Sequence, residues 1–147
     1  MDVTAIPFHA HLALELASPP HLLQLSPRDV HQNHLGTIHA SVMIAVAEAG
    51  SGLFLQQHLQ EDVARLGGII LPIIRRIDAK FHQAGQGLIY CRCAMEPDAL
   101  RDVLEELKSR NRAKVVVPMQ VVDTKSTLLL SASFDWFIQR QANTPSR

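Results

Sequence analysis

Between His39 and about His58 the chain carries a single charge, that of Glu48. Val42, Met43, Ile44, Ala45, Val46, Ala47, Ala49, Leu53, Phe54 and Leu55 leave this stretch almost no polar face. A helix that is apolar all round has to be wrapped by other structure. The small residues Ala45, Ala47, Ala49, Gly50 and Gly52 strengthen that demand. Glycine inside a helix costs about 1 kcal/mol against alanine and is tolerated where something packs closely. The sequence therefore has to supply a wrapping around one central helix.

The flanking patterns supply it. Residues 6–17 mix apolar residues with histidines and read as a short lead-in, broken by Pro19-Pro20 before an extended segment at residues 22–25. After Gly67-Gly68 the period shortens to two, with Ile77, Ala79 and Phe81 on one face and Arg76, Asp78, Lys80 and His82 on the other. Gly85-Gln86-Gly87 has turn chemistry, and residues 88–95 read as the hairpin partner of that strand. Pro97 suits a first helical turn, and Leu100, Val103, Leu104 and Leu107 make one apolar face of a surface helix. Residues 114–122 and 127–139 read as a closing hairpin around Asp123-Thr124-Lys125-Ser126, and residues 141–147 as a frayed polar tail. The expectation is an α+β chain, an antiparallel curled sheet around one buried helix. At 147 residues, a single domain over residues 1–147 is expected, with residues 1–20 as its lead-in.

Charge and composition exclude several classes. Fourteen basic residues balance fourteen acidic ones with no basic block, which argues against nucleic acid. No apolar run approaches the length that crosses a bilayer, and Met1-Asp2-Val3-Thr4 begins no leader, so a cytosolic protein away from membranes is expected. Cys91 and Cys93 fall about 7 Å apart on one strand face, too far for a disulfide, and read as buried structural thiols. The eight histidines, His9, His11, His31 and His34 among them, match no zinc spacing and read as scattered surface residues; no metal is expected. Trp136, Phe134 and Phe137 read as strand packing.

One stretch has the makings of a site. The polar run His31-Gln32-Asn33-His34-Leu35-Gly36-Thr37-Ile38-His39 feeds directly into the apolar helix and its lone acid. An ionised carboxylate taken out of water finds a donor, shifts its pKa upward or faces a wet cleft, and the last two make it a general base. The structural alternative is that Glu48 ties a loop or pairs with Arg75 or Arg76. His39 and Glu48 are nine residues apart. On a helix that is about half a turn in azimuth and about 13 Å along the axis, so one chain cannot bring both to one small group. Two such helices lying antiparallel across a two-fold axis would do so. The unpaired amides at the helix start, those of His39 and Ala40, are candidates to hold an oxyanion. Gly36 allows the tight turn, and Asn33 offers an amide to orient a carbonyl or water.

In these residues the chain resembles the hotdog-fold thioesterases of the phenylacetate-pathway type. Their motif, Asn-x-x-Gly-x-x-His-Gly-Gly followed by an acid on the central helix, reads here Asn33-His34-Leu35-Gly36-Thr37-Ile38-His39-Ala40-Ser41 and then Glu48. Pro7-Phe8 with His11-Leu12, residues 80–85 and residues 123–136 resemble further segments of the family. The resemblance implies the hotdog fold and hydrolysis of an acyl-CoA or acyl-carrier thioester. Glu48 would be base or nucleophile, the Ala40 amide the oxyanion donor, and His39 and Asn33 would position substrate or water, with Gly36 and Ser41 lining the same approach. It further implies a site between subunits of a homodimer, possibly a tetramer, and no cofactor beyond coenzyme A as part of the substrate. Arg110, Arg112 and Lys114 are the candidates for the CoA phosphates. Ala40 and Ser41 replace the motif's two glycines, glutamate stands for the more frequent aspartate, a proline near Ala84 is missing, and Ile73-Ile74 occupy positions where some members carry Ser or Thr. These departures motivate a second reading, a non-catalytic acyl-CoA-binding or regulatory protein. A third, an acyl-CoA hydratase, lacks its paired Asp and His.

Overall fold

The structure, a computed structural model, describes residues 2–142. A 3-10 turn at Val3–Ala5 precedes a short helix α1 (Pro7–Leu12) and two short strands, β1 (Glu15–Leu16) and β2 (Leu23–Leu25). A second turn at Asp29–His31 leads into the long helix α2 (Ala40–Arg65). Strands β3 (Gly68–Phe81) and β4 (Ile89–Cys93), helix α3 (Arg101–Arg110) and strands β5 (Arg112–Asp123) and β6 (Leu128–Ala142) complete the chain. All the strands form one antiparallel sheet in the order β1-β2-β4-β5-β6-β3, which curls around α2.

The wrapped helix behaves as its composition demands. Val46, Ala47 and Leu55 are fully buried, and Leu55 and Phe134 each stabilise the fold by about 1.5–3 kcal/mol through burial. A Cβ on Gly50 would run into Cys91 Sγ, and one on Gly52 would touch the Trp136 ring at 3.8 Å. Gly50 therefore marks a close approach of α2 to the sheet, whereas Gly52 leaves room for an ordinary contact with Trp136. The helix runs on to Arg65, beyond the expected end near His58. Past Phe54 it turns one-sided, with Leu59 and Val63 buried while His58, Glu61 and Arg65 face out and Arg65 pairs with Glu61.

Several sequence expectations need correction. The lead-in contains a helix and a strand: Pro7 sits at the first position of α1, and Ala13 ends it in the left-handed region at φ 54°. The extended segment at residues 22–25 is accordingly the second strand, not the first. β4 is not the hairpin partner of β3; it pairs with β2 and β5, while β3 pairs with β6 in a register that sets Ile74 opposite Trp136. The segment between them is tied down, not turned back. The Gly85 carbonyl accepts from the Ile38 amide (2.9 Å), and Gly85 packs against Ile38, Leu129 and Met43. The closing hairpin stands, its turn fastened by the Asp123 carboxylate accepting from the amides of Lys125 and Thr127, both at 2.8 Å. Of the expected tail, Gln141 and Ala142 belong to β6, and residues 143–147 lie outside the described residues.

Cys91 and Cys93 are free thiols; Cys91 is fully buried, and burial pushes its pKa up to about 12. The sheet's two edges are unlike. β1 is two residues long, whereas β3 runs for fourteen and exposes Ile69, Leu71, Ile73, Ile77 and Phe81. No helix among the described residues is long and apolar enough to cross a membrane.

Candidate active site

The start of α2 is held by a loop whose polar groups are turned upon one another. Asn33 Oδ1 accepts from the amides of Leu35 (2.9 Å) and Thr37 (3.2 Å), and its Nδ2 donates to Thr37 Oγ1 (2.9 Å). Gly36, at φ +70°, makes the turn inside that ring. The side chain expected to position substrate or water thus fastens its own loop. The His39 amide donates to the His31 carbonyl (2.8 Å), which removes it from the candidate oxyanion donors. His31 is buried, and burial first, then Arg28 and His11, pushes its imidazole below the ordinary range. It is no surface histidine, because its Nδ1 accepts from the Arg28 amide (3.0 Å).

His39 caps the helix, its Nδ1 accepting from the Ser41 amide at 3.1 Å. The neutral ring therefore carries its proton on the exposed Nε2. The Ala40 amide is left at the exposed helix start, with no acceptor among the described residues. His39 and Ala40 are thus both exposed residues at the helix start, each with an N–H that no hydrogen bond among the described residues takes up.

Glu48 is elsewhere. Its side chain, 31 % exposed, lies on the wall of a cavity of ≈ 600 Å³ bounded by α2, β3, Trp136 of β6 and the N-terminal segment. The lining is mostly apolar, with Val3, Ile6, Ala49, Ile70, Leu71 and Trp136 among it; neither His39 nor Ala40 nor Asn33 reaches it. This agrees with the helical spacing, which keeps the two features of one chain apart. Burial pushes the Glu48 carboxyl above its ordinary value, and His9 beside it pulls the other way. The expected alternative pairing with arginine is not formed: Arg75 lies over the Phe137 ring at 5.4 Å, and Arg76 reaches Asp78 at 3.4 Å. Glu48 is fixed relative to the sheet through its own turn. Ser51 Oγ donates to the Glu48 carbonyl (2.7 Å) and accepts from Trp136 Nε1 (3.1 Å). Trp136 is both strand packing, as expected, and cavity wall.

The sequence reading missed His9. It is buried, not scattered on the surface, and its Nε2 stands 3.6 Å from Glu48 Oε2. A histidine among apolar residues in a segment starting with proline was the available signal, but its partner lies on another element.

Arg110, Arg112 and Lys114 are exposed where α3 passes into β5 and gather around Phe137, on the outer face of the sheet. Register brings Lys114 opposite Phe137, and Arg75 joins from β3, so the cationic patch has a fourth member that spacing did not show.

A family model described as a domain of unknown function, DUF4442, matches residues 10–138. The chain belongs to the DUF4442 family. No curated relative matches the sequence. Among solved structures this DUF4442 chain is similar to a probable thioesterase of Pseudomonas aeruginosa, with TM-score 0.77 at 16% identity over 95% of this chain and 91% of that one. It is also similar to a thioesterase of Haemophilus influenzae, with TM-score 0.63 at 14% identity over 92% and 85% of the two chains. A Bacillus halodurans protein crystallised with CoA gives TM-score 0.65 at 10% identity over 89% and 74%. At these identities the likeness is one of fold: this DUF4442 chain has the hotdog fold.

Proposed function

We propose that the protein hydrolyses an acyl-CoA thioester with an apolar acyl group, in a site shared by two copies of the chain. The observation that carries this reading is Glu48, a half-buried carboxylate on the wall of a large apolar cavity. Burial without a fixed cationic partner other than a histidine is what brings a carboxyl toward a general base's working range. Glu48 takes a proton from water as its oxygen attacks the thioester carbonyl. The tetrahedral oxyanion is held by the Ala40 amide and the His39 Nε2 proton. Collapse breaks the carbon–sulfur bond, and the proton held by Glu48 passes to the leaving thiolate, giving a carboxylic acid and a thiol.

The second copy is needed because the helix start and Glu48 of one chain do not meet. The outer wall of the cavity is the first half of β3, the long, apolar, exposed edge strand. An unpaired edge of this kind is a template for another strand, and pairing it with a second copy's β3 buries its isoleucines and sets the cavity at the junction. The motif at residues 33–41 supports a place near the phenylacetate-pathway type. CoA phosphates would be taken by Arg110, Arg112 and Lys114, with Arg75.

Free-thiol release over a panel of acyl-CoAs of rising chain length, aliphatic and aromatic, is the test. Release with wild type and its loss in Glu48→Gln supports the reading; equal release by both removes Glu48 from it. Light scattering should give a dimer or larger, and Leu71→Lys with Ile73→Lys a monomer without turnover. A second reading, acyl-CoA binding without hydrolysis, is favoured by Ala40 and Ser41 in place of glycines, since their methyl and hydroxymethyl groups crowd the helix start. Binding heat with no thiol released would decide for it.

A further inference from the structure

His9 lies one residue before the matched family segment and outside the motif at the helix start, yet it stands at ion-pair distance from the Glu48 carboxylate. Its ring orientation is set from the other side. Nδ1 stands 2.8 Å from the Val3 carbonyl, an oxygen that only accepts, so Nδ1 carries a proton in every charge state of the ring. The neutral ring then turns a bare lone pair on Nε2 toward Glu48 Oε2, 3.6 Å away. Two lone pairs face each other unless a proton stands between them. With the His9 side chain 9 % exposed and that of Glu48 31 %, water screens this contact only in part. His9 and Glu48 are the titratable groups among the cavity's lining residues, which come from α2, β3, β6 and the N-terminal segment; the others are apolar, glycine, glutamine or the Trp136 indole.

We propose that His9 is a positioning residue for Glu48, the pair carrying one shared proton, held on the Nε2 that faces Oε2. With the proton on Nε2 the pair is imidazolium and carboxylate, and Glu48 is ready to accept from water. A second proton, gained at lower pH, neutralises Glu48 and stops it. His9 thereby extends to lower pH the range over which Glu48 stays ionised, against the burial that favours its neutral form. The 3-10 turn at Val3–Ala5 belongs to the same device, since its first carbonyl selects the tautomer. The proposal rests on the thioesterase reading for its kinetic consequence only; the shared proton is a property of the protein without substrate.

The experiment is carbon-13 NMR titration of the Glu48 side-chain carboxyl in wild type, His9→Asn and His9→Gln, with nitrogen-15 shifts of the His9 ring in wild type. Asn keeps an N–H within reach of the Val3 carbonyl and removes Nε2; Gln places an uncharged amide toward Glu48. In both variants the Glu48 midpoint should move to higher pH. The acid limb of kcat/KM should follow, giving about a tenfold loss just below the wild-type limb for each unit moved. A wall residue with no share in the proton would change stability or KM and leave the limb in place. An unchanged Glu48 midpoint in either folded variant overturns the proposal, as does a neutral wild-type ring protonated at Nε2. A moved midpoint with no thioester hydrolysed upholds the shared proton and sinks the thioesterase reading.

Discussion

At the start of α2 the polar groups close on one another: Asn33 on Leu35 and Thr37, the His39 amide on His31, the Ser41 amide on the His39 ring. Nine residues after His39, Glu48 stands over a cavity with one histidine at ion-pair distance. The first region is held by its own hydrogen bonds, with the Ala40 amide left over among the described residues. The second has fewer partners, and its burial destabilises the charge and pushes the carboxyl above its ordinary value. One helix thus carries a hydrogen-bonded scaffold at its start and a half-buried carboxylate in its middle, and the proposed function needs a second copy to join them.

Four measurements would break or sharpen that contrast. The largest effect is expected in Glu48→Gln, where turnover should fall by about 10²–10⁴-fold while the chain stays folded; Asn33→Ala, assayed where it is folded, should stay within about tenfold of wild type. A collapse of turnover in Asn33→Ala with no loss of stability would erase the distinction. Next, Asn33→Ala should cost about 0.5–1.5 kcal/mol in denaturant unfolding, because the Leu35 and Thr37 amides exchange their acceptor for water. Third, Glu48→Gln should raise stability at neutral pH by about 0.5–1 kcal/mol. The folded-state value of Glu48 lies above its unfolded one, so its contribution is full below the unfolded value and is lost as pH rises through the folded value. The gain should therefore fade in acid, and a gain that persists there would point away from burial of the charge. The smallest effect belongs to His31, whose folded value is lowered: its contribution is present above about 6.5 and is lost as pH falls through the folded value. Melting temperature should decline below that pH, less steeply in His31→Asn, which keeps an acceptor for the Arg28 amide.

Much of this was legible beforehand because it is local. The apolar run from Val42 to Leu55 demanded a wrapping, the Gly50 position marked close contact, and a lone Glu48 among them stood out. What stayed hidden was long-range. β3 and β4 are each plain strands with glycines between them, and only the anchoring of Gly85 beneath Ile38 shows that they do not pair. His9 looked like any histidine of a mixed lead-in, since what makes it matter is a carboxylate on another element.

By itself the sequence determined the buried helix, the closing hairpin, the acid and the loop spacing before it, because periodicity and burial cost act over a few residues at a time. Tertiary structure alone decided strand partners, the inward turn of Asn33, the tautomer of His9 and the cavity shared by His9 and Glu48. Those depend on which backbone carbonyl or side chain arrives from a distant part of the chain, and no local pattern of apolar and polar residues encodes that arrival.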